Sequence, residues 1–391
     1  MKVTLSLTHR CNLACRYCYA GNSQKPDMPL ATAKQCIDVA LARIQPGESL
    51  DLGLFGGEPL LRFDLIKEIV EYIHRRALQT STPVRIGITT NGTLLSPEIL
   101  DYFADQGINL CFSIDGPQKI HERNRLFRNG NGSFAEVVRN LELALKRLQK
   151  VEVNAVIGPD TLADAPDSLD FFIQTGVPVI HFNPNIKAIW PHESFAHFKD
   201  VYDRMAEQYI TCFRNGEEIA LNVIDSKAVL FVKGGYSPSD KCAMGDGEWG
   251  IAPSGNIYPC ERFIGEDDDH TFCLGNIQSG CDQTLQNALR GKRGNHRNDC
   301  TTCRYNRFCM SWCGCTNWFM SGASDMPAPV LCAMEKATIE AARRVFETLV
   351  RENNDLFADH LFNYVNVGDQ RCRACRKREK PLRDQLGHTT L

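Results

Sequence analysis

Three cysteines near the start of the chain, Cys11, Cys15 and Cys18, form a C-x3-C-x2-C run within Thr8–Tyr19, with Tyr17 directly before the third thiol. Thiolates are soft ligands that suit zinc and iron–sulfur clusters. Three of them can hold three corners of a cubane cluster. The fourth iron then has no protein ligand and is free to bind something else. A structural metal site closes its coordination shell, whereas a catalytic one keeps a position open. Three cysteines are also few enough to be a zinc knuckle, and the run alone does not separate the two.

A second group follows much later. Twelve residues separate Cys242 from Gly255 and four more separate Gly255 from Cys260; then come Cys300-x2-Cys303-x5-Cys309-x3-Cys313 and, after a gap, Cys332. Ten of the 18 cysteines lie from Cys242 to Cys332, a density that suits metal binding. The start of the chain, Met1–Leu7, is too soon interrupted by polar residues to read as a signal peptide, so a reducing, cytoplasmic compartment is expected, where clustered cysteines bind metal or do redox work. A formal net charge of −3 gives no bulk field for nucleic acid or an anionic membrane. No stretch approaches the length of a membrane span.

The elements that would position these thiols are legible in the hydrophobic pattern. Lys2–Leu7, Leu50–Phe55, Val84–Thr89, Ile108–Ile114, Val151–Ile157 and Val177–Phe182 read as strands. Ala31–Ile44, Phe63–Gln79, Pro97–Gln106, Phe134–Leu148 and Asp167–Thr175 read as the helices between them. Alternation of this kind predicts an α/β fold on a parallel sheet, barrel or open. Reactive loops in such folds lie at the carboxyl ends of the strands, and the three-cysteine loop follows the first strand. Residues 193–214 and 226–233 read as helices bridging to the second part. The stretch from Cys242 to Cys332 has little periodicity, so it is expected to have a small core and to need metal to hold it. Ala333–Arg351 is an amphipathic helix, and Arg371–Leu391 a basic, loose tail carrying Cys372-x2-Cys375. The expected division is residues 1–190, a helical bridge over 191–240, a cysteine-rich domain over 241–335, and a helix with tail over 336–391. Cys36, Cys111 and Cys212 fall in apolar patterns and read as core.

Several strand ends carry further polar chemistry. Gly56-Gly57-Glu58-Pro59 follows the second strand; adjacent glycines admit close backbone approach and Glu58 offers a carboxylate, although the tetrad is also an ordinary strand-to-helix turn. Asn91 follows the third strand. Ser113 and Asp115 close the fourth and would suit ribose hydroxyls, and Arg123 or Arg125 could pair with a carboxylate or simply be solvated.

Taken together, the three-cysteine run, the Gly56–Pro59 tetrad and these strand ends resemble the radical S-adenosylmethionine (SAM) enzymes. The seven-cysteine order from Cys242 to Cys332 is similar to their SPASM extension. The resemblance implies a partial (β/α)6 TIM-type barrel with an iron–sulfur-stapled C-terminal domain. It implies that Cys11, Cys15 and Cys18 hold a [4Fe-4S] cluster, that SAM chelates the open iron, and that SAM is cleaved to a 5′-deoxyadenosyl radical. Tyr17, Gly56, Gly57, Glu58, Pro59, Asn91, Ser113, Asp115 and one of Arg123 and Arg125 would then lie at SAM. Two auxiliary [4Fe-4S] clusters are implied, making three in all: a nearer one on Cys242, Cys260 and Cys313, and a distal one on Cys300, Cys303, Cys309 and Cys332. The nearer set lacks a fourth cysteine, leaving it open or completed by Cys273, Cys281 or Cys315. Of these, Cys315 is awkward as the second member of Cys313-Gly314-Cys315, and a bystander role is expected for all three. Cys372 and Cys375 could form half a zinc site or a ligand pair.

Relatives with this extension mostly modify peptides or protein side chains. The branch implied here is a maturase that oxidatively crosslinks a ribosomally made peptide through thioether or C–C bonds, with an anaerobic sulfatase-maturating enzyme forming formylglycine as the alternative. In the sulfatase branch an Asp follows the Gly-x4-Cys cysteine as base. Here Glu261 stands there, one methylene longer, either as a base, as a partner to such a group, or in a plain salt bridge with Arg262 or another Arg. Expected partners are a precursor peptide or protein, a reductant such as flavodoxin or ferredoxin, and a separate leader-binding protein, because the chain opens directly on the first strand. A non-catalytic zinc-rich interaction module is the reading from another class.

Overall fold

The computed structural model describes residues 1–21, 24–242, 244–291 and 298–368 of the chain; Cys372 and Cys375 lie outside them. Six parallel strands run in sequence order, β1 (Lys2–Ser6), β2 (Leu50–Phe55), β3 (Val84–Thr90), β4 (Ile108–Ser113), β5 (Val151–Ile157) and β6 (Val179–Pro184). Between them lie α1 (Leu30–Leu41), α2 (Phe63–Thr80), α3 (Pro97–Gln106), the one-turn α4 (Gln118–His121), α5 (Phe134–Arg147) and α6 (Ala165–Thr175). The architecture is the parallel α/β sheet that the alternation predicts, in the partial barrel form that the resemblance implies. β6 starts after Pro178 rather than at Val177, because proline has no N–H for the ladder; its carbonyl accepts instead from Ala220 N at 2.9 Å. α3 shows how locally the helices are specified. Ser96 caps it by accepting from Ile99 N at 3.3 Å, Pro97 starts it, and Gly107 ends it at φ 65°.

Each barrel strand has two different faces. On β5, Val151, Val153, Ala155 and Ile157 are buried, whereas Glu152, Asn154 and Val156 on the other face are partly accessible. The buried face packs on helix residues such as Ile66, Ile69 and Val70 of α2 and Leu169 and Phe172 of α6 in one apolar core. Cys36 and Cys212 belong to that core, as expected. Cys111 departs from the expectation: it alternates with the buried Leu110 and Phe112 and lies on the barrel's inner face, lining a cavity.

The second half differs from the sequence reading in how it attaches. α7 (His197–Arg214) and α8 (Asn222–Lys233) flank the short β7 (Ala220–Leu221), which adds to β6. The cysteine-rich stretch then returns to the far edge. β8 (Glu248–Ile251) pairs parallel to β1, from Lys2↔Glu248 to Leu5↔Ile251, and β9 (Asn256–Tyr258), β10 (Gly275–Asn276) and β11 (Gly280–Cys281) extend it antiparallel. The result is one 11-stranded sheet. The segment thus borrows the barrel's sheet, and an aromatic cluster gives it a core of its own: Phe263 stacks on Phe272 with centroids 4.3 Å apart and on Phe319 at 5.5 Å. After the short helices α9 (Gln283–Gly291) and α10 (Asn298–Thr301) come α11 (Gly314–Ser321), α12 (Pro329–Arg351) and α13 (Asp355–Gly368). α12 packs against α7 and α8. Among the described residues, no helix is long and apolar enough to cross a membrane.

Candidate active site

The three-cysteine loop is seated on the Gly56–Gly57 turn. The Gly57 amide donates to Thr8 O at 2.7 Å and the Glu58 amide to Arg10 O at 2.9 Å. A Cβ on Gly56, which has φ 139°, would stand 2.5 Å from Thr8 O, and one on Gly57 would collide with Arg10 O. The glycines therefore let the chain's own cysteine loop approach, while also lining the cavity beside it. On its other side the loop is tied to the segment after β4: Ala14 N donates to Leu126 O at 2.9 Å and Arg16 N to Asn124 O at 3.0 Å. Asp27 closes the loop by accepting from Thr8 Oγ1 at 2.6 Å and Arg62 Nη1 at 2.9 Å, with Arg10 beside it.

Glu58 is fully buried. One carboxylate oxygen accepts from Leu60 N at 2.9 Å and Thr90 Oγ1 at 2.7 Å, and the other from Asn91 N at 2.8 Å. Burial lifts its pKa against the pull of these donors. Its visible work is to fix the end of β3, and this holds Asn91, whose Nδ2 reaches Cys11 Sγ at 3.7 Å and Asn12 Oδ1 at 2.9 Å. Pro59 begins the short turn beyond.

A second polar chain orders the opposite wall. The Tyr17 hydroxyl donates to the Asp115 carboxylate at 2.7–2.8 Å and accepts from Arg125 Nη1 at 2.8 Å. Asp115 also accepts from Val156 N at 3.1 Å. His121 Nδ1 accepts from Asp115 N at 3.4 Å, so its Nε2–H donates to Ser133 Oγ at 3.0 Å, and Ser133 donates to Arg125 O at 2.6 Å. Burial, then the Arg125 charge, holds the His121 pKa well below the usual histidine range. Burial works against the charge on Arg125, but Cys15, Tyr17 and Asp115 outweigh it and keep it protonated. Arg125 is 5% exposed, and its Nε has no partner. Arg123 faces elsewhere, donating to Asp160 O at 2.7 Å and Asp164 Oδ2 at 2.6 Å. Two arginines that were equivalent in sequence are thus separated by structure, and only Arg125 lines the cavity.

That cavity, about 140 Å³, brings together Cys11, Cys15, Cys18, Tyr17, Gly56, Gly57, Asn91, Ser113 and Arg125 at the carboxyl ends of the strands. Glu58, Pro59, Asp115 and Arg123 are not on its surface. Its other walls include Tyr19, Asn154, Asn183 and Arg262, which the sequence reading missed. The signal was there: Asn154 sits on the accessible face of β5, and its Oδ1 accepts from Asn183 Nδ2 on β6 at 2.7 Å. Tyr19, Phe55, Thr89, Asn154, Asn183 and Arg262 also line a deeper cavity of about 350 Å³. Gly53 and Gly87 sit side by side in register there, leaving open a barrel interior that larger side chains would fill. Glu261 lines this deeper cavity with Lys2. Burial would raise its pKa, but Lys2 and Arg262 hold the carboxyl below the usual range. An acid kept ionised in this way is a weak proton acceptor.

The donor chemistry of the loop fits an iron–sulfur cluster: three thiols from one loop and, next to them, a polar cavity with a buried, part-unpartnered arginine. Burial pushes the Cys11 thiol up to about 12 and raises Cys15 as well, so metal loading must displace protons. In the second half, Cys260 Sγ lies 3.7 Å from Cys315 Sγ, which lies 3.7 Å from Cys313 Sγ. Cys242 donates to Glu248 Oε2 at 3.2 Å and is close enough to feel Cys313 and Cys315. Cys332 feels Cys300 and Cys303, and shares a small cavity with Cys309. Among the described residues, no three ligand side chains are already gathered for a single metal ion.

A partial parallel barrel with a thiol loop and a polar cavity at its carboxyl edge defines the class. Residues 5–172 match the family model described as the radical SAM superfamily. It is similar to the cysteine-type anaerobic sulfatase-maturating enzyme of Clostridium novyi, with 22% identity covering 78% of this chain and 84% of that one. It is also similar to the radical SAM cyclopropyl synthase TigE of Paramaledivibacter caminithermalis, with 21% identity covering 91% and 75%. Among solved structures, native anSMEcpe with bound AdoMet and Cp18Cys peptide shares the fold at a TM-score of 0.77 and 18% identity, covering 90% of this chain and 99% of that one.

Proposed function

We propose that the protein is a maturase that uses SAM and three [4Fe-4S] clusters to modify side chains of a ribosomally made peptide oxidatively, forming a thioether or C–C crosslink. One observation carries the reading: a single cavity is walled both by the three loop thiols and by Arg262, the half-buried cation beside Cys260, Cys313 and Cys315. When bound, SAM and its cluster supply a 5′-deoxyadenosyl radical, which takes hydrogen from unactivated carbon. The chain's own residues do the positioning. Cys11, Cys15 and Cys18 would hold the cluster, Asn91 and Ser113 the polar groups of SAM, and Arg125 its carboxylate. Tyr17, Asp115 and Glu58 keep these groups in place. A peptide side chain lodged in the cavity would stand next to the second thiol group, to which a crosslinking reaction must pass electrons. Crosslinking removes a pair of hydrogen atoms from the peptide; a reductant such as flavodoxin or ferredoxin starts each turnover.

Formylglycine formation is the second reading, favoured by the similarity to a sulfatase-maturating enzyme over most of both chains. The experiment that separates them incubates the anaerobically reconstituted protein with SAM, dithionite and either a cysteine-rich peptide or a sulfatase peptide. Formation of 5′-deoxyadenosine with a peptide lighter by a pair of hydrogens and inert to hydrazines supports crosslinking. A product that reacts with hydrazines supports formylglycine. Unchanged SAM overturns both.

A further inference from the structure

We propose that Cys315 supplies the fourth thiolate of the nearer auxiliary iron–sulfur site, completing Cys242, Cys260 and Cys313. The proposal rests on the auxiliary-cluster reading above and corrects the expectation that Cys315 is a bystander. That expectation came from spacing: two cysteines separated by a single residue are awkward ligands of the same cubane. The backbone here is not regular. Cys313 precedes α11 in an extended conformation, φ −73° and ψ 94°, and Cys315 is already the second helical residue. The change of direction between them turns both thiols to one place, 3.7 Å apart. Gly314 makes this packing possible, since a Cβ there would stand 2.6 Å from Met244 Sδ.

Three further observations point the same way. Cys315 is 4% exposed and Cys260 5%, so the two thiols meet in the interior and not on a helix surface. The other spare cysteines are elsewhere: Cys273 donates to Gly275 O at 3.3 Å, and Cys281 sits opposite Gly275 in the β10–β11 ladder. Finally, the half-buried Arg262, whose Nη1 donates to Thr316 Oγ1 at 2.7 Å, feels Cys260, Cys313 and Cys315 together. A cation partly withdrawn from water is favoured by nearby negative charge, and a thiolate-ligated cluster at these residues would supply it.

The test uses the full chain with Cys11, Cys15 and Cys18 changed to Ala, so that only auxiliary iron is counted. After anaerobic reconstitution, iron, sulfide and zinc are measured, with electron paramagnetic resonance of the reduced protein. Cys315→Ala should bring iron to about half the parent value, one cubane of two, as should Cys260→Ala, whereas Cys36→Ala in the apolar core should change nothing. If Cys315→Ala does not fold, Cys315→Ser decides: an oxygen ligand should keep the iron but shift the spectrum of one cluster. Parent-like iron and spectra in both variants overturn the proposal while leaving the auxiliary clusters intact. Zinc in place of iron, lost on changing Cys315, overturns the iron–sulfur assignment. A parent that binds no iron overturns the auxiliary-cluster reading itself.

Discussion

The Tyr17 hydroxyl lies 2.7–2.8 Å from both carboxylate oxygens of Asp115 and also accepts from Arg125, so one phenol joins a buried anion to a buried cation. Neither charge is on the surface; Asp115 also accepts from Val156 N at 3.1 Å, and Arg125 Nη1 has the hydroxyl as its partner. Tyr17→Phe should lower stability by about 1–3 kcal/mol, the cost of leaving buried polar groups unpaired. It should also weaken SAM binding by releasing Arg125. Denaturant unfolding and equilibrium dialysis with labelled SAM measure the two effects separately. Unchanged values in both would mean that the chain of contacts is dispensable.

Gly57→Ala places a methyl group into the Arg10 carbonyl. The cysteine loop must lift from its seat, although the thiols themselves are untouched. On the proposed three-cluster reading the expected result is selective: iron falls by about a third, one cubane of three, while auxiliary iron stays. Iron analysis with and without the Cys11/Cys15/Cys18→Ala background shows whether the loss is confined to the loop.

Two buried histidines should give stability opposite pH dependences. His121 has its pKa depressed below 6.5, so the unfolded chain takes up the proton first and stability falls as pH drops below that value. His360 has its pKa raised above 6.5: burial opposes the charge, but Asp225 at 3.1 Å and Glu218 at 2.9 Å outweigh it. Its contribution is complete below 6.5 and is lost as pH rises through the raised value. Thermal midpoints across pH for His121→Gln should lose the acid-side slope, and those for His360→Gln the alkaline-side slope. The same change in both variants would refute the assignment.

Lys227 is 2% exposed, and its ammonium donates to Glu335 Oε2 at 2.8 Å and to Phe308 O at 3.1 Å, next to Cys309. Glu335 also accepts from Met310 N at 2.6 Å. Lys227→Met leaves the partly buried Glu335 carboxylate without its cation and should cost about 1–3 kcal/mol. Adding Glu335→Met should restore part of the loss, because the burial penalty of the unpaired charge goes with it. Urea unfolding of the two variants gives the comparison; a double variant less stable than the single one would contradict it.

The barrel was readable because its strands are short runs with apolar residues at alternate positions, separated by strongly periodic helices, and those patterns depend only on neighbours in sequence. The loop thiols and the glycine turn were readable for the same reason. What remained hidden involves distant pairing. Nothing local in Glu248–Ile251 announces that it will pair with Lys2–Leu5. Arg123 and Arg125 are two residues apart on one loop, and their roles are separated by distant partners: the Asp160 carbonyl and Asp164 carboxylate, 37 and 41 positions on, hold Arg123, and Tyr17 holds Arg125. Cys111 was read as core because its neighbours are apolar, yet strand alternation turns it inward. Arg262 and Tyr19 come from opposite halves of the chain, so no spacing rule could have joined them in one cavity.

β1, the strand that presents the cysteine loop, has β2 on one side and β8 on the other, the latter reached across a separation of 246 positions between Lys2 and Glu248. Pairing at such a distance is slow to form. Until the cysteine-rich segment folds, one edge of β1 is a row of unpaired N–H and C=O groups, the kind of edge that templates association between chains. Because that segment also carries the thiols of the proposed auxiliary clusters, iron starvation should, on that reading, act on the barrel from outside. It would strip a neighbouring strand from β1, and the first symptom would be aggregation before any measured loss of turnover.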